Sequence, residues 1–176
     1  MDLFLVRHAI AHGRDPERWP DDSERPLTSL GKARFRRVAA EVSGFLSPPH
    51  RLLSSPFTRA YQTAEILHEI SGWPAPEVLP ALESDVSPEK TAFVLAELFC
   101  GFGKNEDGRI AVVGHRPNLH ELASYLLTGS PDRMNLKIKK GGALYLSFVA
   151  GPEPGTAELR WHTTPKMALR RTESQG

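Results

Sequence analysis

The sequence predicts an α/β fold, a three-layer α/β/α sandwich with a mostly parallel central sheet and a C-terminal hairpin. Short apolar runs at residues 3–6 and 109–113 are typical of strands that are buried on both faces. Segments with helical periodicity lie between such runs, and this alternation favours a parallel sheet covered by helices. Two strand patterns, at residues 143–149 and 157–162, are joined by a glycine-rich turn and predict a hairpin.

The first half of the chain predicts two strand–helix units. A strand at residues 3–6 is followed by an irregular, polar loop and by Thr28, a good N-cap, which opens a helix to Leu46. A second strand at residues 51–54 leads into a helix over residues 57–70, where Ala60, Ala64 and Leu67 form an apolar stripe. The elements predicted after it are a short strand at 77–79, a helix from Ser87 to about 102, a strand at 109–113 and a helix from Pro117 to 127.

Length and composition indicate one compact domain over residues 1–165, with a polar and frayed tail over residues 166–176. The chain has 176 residues, of which 40% are hydrophobic, enough for a substantial core. A net charge of +1 argues against nucleic acid or an acidic membrane surface as a partner.

The N-terminal apolar run is too short for a signal peptide or a membrane span, which predicts a cytoplasmic protein. The only cysteine, Cys100, excludes an intramolecular disulfide, and its apolar helical context favours a buried structural thiol over a reactive one.

Ionisable side chains follow three of the predicted strands. Arg7 and His8 end the first strand, Arg59 lies in the helix after the second, and His115 follows the strand at residues 109–113. Ligands of parallel α/β sheets bind beyond the carboxyl ends of the strands, so these groups are expected at one rim. Singly, each has an ordinary interpretation: a strand-end histidine is usually just hydrogen-bonded, and Arg59 could pair with Glu65.

Four motifs follow one another along the chain: LVRHA at residues 5–9, RPLTSLG at 25–31, SSPFTRAYQTA at 54–64 and VGH at 113–115. Their combined pattern resembles the histidine phosphatase superfamily, and its small SixA-like branch in particular. The resemblance implies the three-layer fold of that family and a phosphate pocket built from Arg7, His8, Arg59 and His115. It also implies that His8 is transiently phosphorylated, with no cofactor.

The physical chemistry of these residues agrees with that role. Guanidinium forks match the oxygens of a phosphoryl group, so Arg7 and Arg59 can bind it and stabilise its transition state. Their charges also disfavour a histidinium, which should keep His8 neutral and nucleophilic. No cluster of residues has convincing metal-ligand spacing, and no metal is expected.

The proton donor and one further arginine are left open. Glu83 is the first candidate for the donor and Asp85 the second, although a solvated loop carboxylate or no donor at all remains an equal interpretation. Arg25 either reaches the phosphate or forms a loop salt bridge with Asp21 or Asp22.

The leading hypothesis is a metal-independent phosphatase whose partner is a phosphorylated protein or a small phosphoester. A short segment between Glu83 and His115 leaves little material for a lid, which favours an open pocket suited to a phosphate on a protein side chain or to broad turnover of small esters. A phosphoglycerate mutase-like phosphoryl transferase and a non-catalytic phosphate-binding module are the alternatives.

Overall fold

The computed structural model describes residues 1–44, 46–103 and 107–173. Its strands are β1 (Asp2–Arg7), β2 (Arg51–Ser54), β3 (Pro76–Val78), β4 (Arg109–Gly114), β5 (Ala143–Ser147) and β6 (Glu158–Thr163). In the described part of the chain they form a six-stranded sheet with the order β3-β2-β4-β1-β5-β6. The first four strands in this order are parallel to one another. Strand β5 runs antiparallel to both of its neighbours, β1 and β6. The predicted mostly parallel sheet with a C-terminal hairpin is confirmed.

Helices cover both faces of this sheet. They are α1 (Ser29–Ser43), α2 (Thr58–Ser71), α3 (Pro88–Cys100), α4 (Asn118–Thr128) and α5 (Pro165–Glu173), with short 3-10 turns at Asp22–Glu24 and Pro80–Leu82. Helix α1 contacts α2 and α5, while α3 contacts α4. Within the described residues, no helix has both the length and the apolar character that crossing a membrane would require.

Alternation along β1 explains the two-sided core. Phe4 and Val6 belong to the apolar cluster that contains side chains of α1, α2 and α5. Leu3 and Leu5 belong to the cluster that contains side chains of α3 and α4. Successive side chains of a strand point to opposite faces, so one continuous apolar run supplies both cores. The three-layer architecture predicted from the sequence is therefore confirmed.

The start of α1 is fixed to the loop that follows β1. The Thr28 hydroxyl accepts a hydrogen bond from the Gly31 amide at 2.9 Å and caps the helix. The Thr28 amide in turn donates to the Ile10 carbonyl at 3.0 Å. A Cβ atom on Gly31 would lie 2.0 Å from that same carbonyl oxygen, so this close approach requires glycine.

The structure corrects three expectations. Helix α1 ends at Ser43 rather than Leu46, because Gly44 takes the C-cap position. Residues 165–173 form helix α5, which packs against α1 and buries Ala168 in the core. These residues were expected to belong to a frayed tail, and that expectation is wrong for them. Residues 174–176 of that predicted tail lie outside the described residues. Cys100 is exposed at the last position of α3, because Phe99 occupies the inward side there.

Candidate active site

The carboxyl ends of β1, β2 and β4 lie side by side. Arg7 pairs with Gly114, and Ser54 pairs with Val113, across the central strand β4. The backbone pairing continues one residue further, because the His8 amide donates to the Gly114 carbonyl at 3.0 Å. The rings of His8 and His115 consequently lie 5.2 Å apart between their centroids. The structure brings together the strand ends from which the predicted side chains extend.

One ring nitrogen of His8 is hydrogen-bonded to the backbone, and the other keeps its lone pair. The side chain is 5% exposed, and its Nδ1 lies 2.7 Å from the Ala9 carbonyl oxygen. A carbonyl oxygen only accepts hydrogen bonds, so Nδ1 must carry the proton of the neutral ring. The lone pair of that ring is then on Nε2, which makes Nε2 the nucleophilic atom.

The electrostatic environment keeps this ring neutral. Burial is the largest cause that lowers the pKa of His8, to about 3, and repulsion from Arg59, Arg7 and Lys140 adds to it. The hydrogen bond to Ala9 opposes the shift. The arginine charges proposed from the sequence thus act in the expected direction, while desolvation is the larger effect.

His115 lies against a serine and an aromatic ring. Its Nε2 is 2.9 Å from the Ser55 hydroxyl, and its ring centroid is 4.8 Å from that of Phe57. Burial is the main cause that lowers its pKa to about 2, followed by repulsion from His8 and the arginines. A Ser55 hydroxyl that donates to Nε2 leaves the proton on Nδ1, which is buried and has no hydrogen-bond partner in the described structure.

The two arginines are partly satisfied by protein oxygens. Arg7 donates from Nη1 to the Ile138 carbonyl at 2.9 Å. Arg59 donates from Nη1 to the Asp22 carbonyl at 2.7 Å, and its guanidinium lies 4.8 Å from the centre of the Phe57 ring. In both arginines Nε is buried and finds no partner among the described residues. A guanidinium has five N–H donors, so both retain donors for an anion.

Asp22 connects two arginines at the rim. Its Oδ2 lies 3.1 Å from Nη2 of Arg59, and its Oδ1 lies 2.8 Å from Nε of Arg25. Arg25 also donates to the His12 carbonyl at 2.6 Å. The loop salt bridge that was one of the two alternatives for Arg25 is present, and its partner is Asp22. Asp21 instead accepts a hydrogen bond from the Ser23 amide and caps the 3-10 turn. Direct contact of Arg25 with a phosphate stays a prediction.

Backbone and hydroxyl groups position the two functional segments. Thr63 of α2 accepts from the Ala9 amide at 3.0 Å and donates to the Arg59 carbonyl at 2.7 Å. The Gly141 amide lies 3.0 Å from the carbonyl oxygens of both Arg7 and His8. Gly141 adopts φ +73°, a left-handed conformation that favours glycine. These contacts fix the end of β1 from two sides.

The two candidate proton donors occupy different settings. Glu83 is half-buried, at the end of the 3-10 turn Pro80–Leu82. The Leu82 carbonyl oxygen would lie 3.3 Å from a Cβ on Gly114, so this turn borders the residue before His115. In the described chain the Glu83 carboxylate makes no hydrogen bond or ion pair. Asp85 is exposed, and neither carboxylate is among the groups that shift the pKa of His8.

Sequence reasoning missed three residues of the site. Ser55 lies in the motif at 54–64 and directly follows β2, so its place at a strand end is itself a sequence signal for the site. Thr63 belongs to the same motif, but its link between Ala9 and Arg59 depends on a tertiary contact. Asp22 was weighed only as a partner of Arg25, and its pairing with Arg59 has no sequence signal. Among the described residues, no group of three or more His, Cys, Asp or Glu side chains is arranged to hold a metal ion.

Comparison with known proteins gives related sequences over nearly the whole chain. The family model for the histidine phosphatase superfamily (branch 1) matches residues 3–84. An uncharacterized protein of Picosynechococcus sp. is 30% identical over 169 residues, which is 96% of this chain and 94% of that protein. The phosphohistidine phosphatase SixA of Escherichia coli is 27% identical over 166 residues, which is 94% of each chain.

A solved structure has the same arrangement of strands and helices. It is that of the protein histidine phosphatase SixA complexed with tungstate, which aligns with a TM-score of 0.78 at 27% identity. The alignment covers 95% of this chain and 99% of that chain. The similarity therefore extends well beyond the residues that the family model matches.

Proposed function

This chain belongs to the histidine phosphatase superfamily and is a phosphatase, and from that premise we propose that it acts without a metal through a phosphohistidine on His8. We further propose that its preferred substrate is phosphohistidine on a protein. One observation carries the proposal: the 2.7 Å contact between Nδ1 of His8 and the Ala9 carbonyl leaves Nε2 unprotonated beside two arginines. A cytoplasmic location stays a prediction from the N-terminal sequence.

In the first step, Nε2 of His8 attacks phosphorus, and the bond from phosphorus to the substrate breaks. The leaving atom then takes a proton, either from a side chain such as Glu83 or from water. Arg7 and Arg59 face charge that spreads over the phosphoryl oxygens in the transition state. Their unpartnered Nε groups are donors with no acceptor among the described residues, which supports an anion as their partner.

In the second step, water attacks phosphorus and the bond to Nε2 breaks, so that His8 returns to its neutral form as phosphate departs. The proton released by the attacking water restores the group that protonated the leaving atom, Glu83 or solvent. Dividing the transfer in this way replaces one difficult displacement with two easier ones. The hydrogen bond to Ala9 keeps the ring in one tautomer through both steps. The low pKa of His8 supports its return as a neutral imidazole rather than a cation.

Two observations support phosphohistidine as the substrate. The Escherichia coli relative is a phosphohistidine phosphatase, and the similar solved structure of a SixA holds tungstate, a tetrahedral oxyanion like phosphate. In this chain, helix α3 and strand β4 occupy much of the segment between Glu83 and His115, which supports an open pocket. A P–N bond to imidazole also needs less protonation of its leaving group than a phosphoester does, which suits a site whose proton donor is not evident.

The decisive experiment compares phosphate release from a phosphohistidine peptide and from p-nitrophenyl phosphate, both in EDTA. We expect wild type to hydrolyse the phosphohistidine peptide faster and to form a base-stable, acid-labile phosphoenzyme that His8→Ala lacks. Full activity of His8→Ala, or complete loss of activity in EDTA, would contradict the mechanism.

The matched pair Glu83→Gln and Asp85→Asn tests the proton donor. If Glu83 protonates the leaving group, its variant loses p-nitrophenyl phosphate turnover less than turnover of an alkyl phosphate, whose leaving group is the stronger base. Asp85→Asn should match wild type on both. Equal rates of all three proteins on both esters would remove Glu83 from the mechanism.

A further inference from the structure

An open groove of about 540 Å³ lies beside the phosphate pocket. Arg7 lines it and also belongs to the pocket. The other cations of the groove come from three elements: Arg34 from α1, Lys166 from α5, and the loop before β5, which supplies Lys137, Lys139 and Lys140. We call these six residues the basic groove.

The positive charge of the basic groove is not compensated locally. None of the residues that line it is acidic. Within the described chain, none of its lysines and neither of its arginines lies within 4.0 Å of a carboxylate. The whole chain has a net charge of only +1, so this surface is a local concentration of cations. Lys140 is an exposed residue whose partial desolvation, together with repulsion from Arg7, Arg25 and Arg59, lowers its pKa, and a bound anion would oppose this shift.

We propose that the basic groove docks an acidic stretch of the polypeptide that carries the phosphorylated side chain. This inference rests on the proposed function, because Arg7 joins the groove to the pocket that receives the phosphoryl group. An acidic segment lying in the groove would be continuous with a phosphorylated residue at His8.

The form of the groove favours a polypeptide over a small phosphoester. Its surface cations are exposed and arise from separate elements, so they do not converge on one point as the groups around His8 do. Leu30 is 72% exposed and lies one helical turn before Arg34, which places an apolar side chain next to the charges. Exposed polar and charged side chains are typical of the rim of a protein interface, and Leu30 adds an apolar side chain beside them that a polypeptide could contact.

The test uses two phosphohistidine peptides that differ only in flanking residues, which are glutamates in one and glutamines in the other. We expect wild type to hydrolyse the glutamate peptide with a kcat/KM about threefold to tenfold higher, since exposed ion pairs are individually weak. The preference should shrink as salt is added, because salt screens exposed charges.

The variant Lys137→Gln/Lys139→Gln should lose most of this preference and retain wild-type turnover of p-nitrophenyl phosphate. Its matched control is Arg133→Gln/Arg160→Gln, which removes the same charge from exposed positions outside the groove. The control should keep the preference. If both double variants behave alike, or if wild type treats the peptides equally, the docking proposal is wrong.

Binding to His8→Ala separates docking from catalysis. Fluorescence anisotropy should give tighter binding of the glutamate peptide to His8→Ala, and adding Lys137→Gln/Lys139→Gln should remove most of that difference. Charge-dependent binding without turnover by wild type would support docking and refute the proposed function. Turnover without charge-dependent binding would do the reverse. Stronger competition by a single-stranded oligonucleotide than by the glutamate peptide would overturn the assignment to an acidic polypeptide.

Discussion

The Thr63 hydroxyl links the Ala9 amide, which follows the proposed nucleophile His8, to the Arg59 carbonyl, and its removal gives a quantitative prediction. Thr63 is fully buried, and it satisfies the amide of Ala9, whose carbonyl holds Nδ1 of His8. Thr63→Val preserves shape but removes both hydrogen bonds. A buried, unsatisfied amide costs about 1–3 kcal/mol, so we expect a loss of about 2 kcal/mol in the free energy of unfolding. For a chain of this size that lowers Tm by about 4–8 °C.

The same substitution should slow the chemistry. Without the hydroxyl, the Ala9 carbonyl and the His8 ring are less well fixed, and a misplaced reacting group costs up to about 100-fold in rate. The rate of phosphoenzyme formation, measured by rapid quench at 25 °C, where we expect the variant to be folded, should fall by about tenfold or more.

Thr63→Ser is the matched control, because it retains the hydroxyl and loses only a methyl group, at a cost of about 1 kcal/mol. We expect it to form the phosphoenzyme at nearly the wild-type rate. If Thr63→Val is no less stable than Thr63→Ser and reacts as fast, the hydroxyl does not position His8 and the reasoning is refuted.

Two further predictions concern pH and the start of α1. The pKa values of His8 and His115 are about 3 and about 2 in the folded protein, below their value in the unfolded chain, so the unfolded chain takes up more protons as pH falls below about 6.5. The stabilisation from keeping both histidines neutral is therefore fully present above about pH 6.5. Below that pH the free energy of unfolding declines, by about 4 kcal/mol for the pair at pH 5. Urea unfolding at pH 7, 6 and 5 measures this, and a His8→Gln/His115→Gln variant with an unchanged slope would contradict it. Gly31→Ala gains about 1 kcal/mol of helix propensity but places Cβ 2.0 Å from a backbone oxygen, so we expect a net loss of about 1–3 kcal/mol and a lower Tm. A Tm at or above that of wild type would show that the loop can shift.

Most of the fold was accessible from the sequence because most of its strands and helices have a local signal of their own. Buried strands gave uninterrupted apolar runs, and Thr28 and Ser87 cap α1 and α3 as their side chains predict. Helix α5 was missed because its composition is polar and its burial depends on Ala168, a small residue with little hydrophobic signal. Cys100 was misplaced because one residue at a helix end decides between the inner and the outer side.

The candidate site was accessible only in part. The register of the parallel strands determines where the backbone of Arg7, His8 and His115 lies, and the ends of those strands can be predicted from the sequence. Hydrogen bonds and ion pairs between separate elements cannot be predicted in this way. The ion pair of Arg59 with Asp22, for example, depends on the conformation of the irregular loop that carries Asp22. The tautomer of His8 likewise depends on the 2.7 Å distance to a neighbouring carbonyl, which only coordinates reveal.

The cations of the basic groove and the four side chains of the pocket come largely from different parts of the chain. Arg7, His8, Arg59 and His115 all precede residue 116, whereas four of the groove residues, Lys137, Lys139, Lys140 and Lys166, follow it. Surface loops change more readily than the strand ends that a sheet holds in place. If the groove docks substrates as proposed, changes late in the sequence could alter which phosphorylated partners bind while the residues of the proposed reaction stay unchanged.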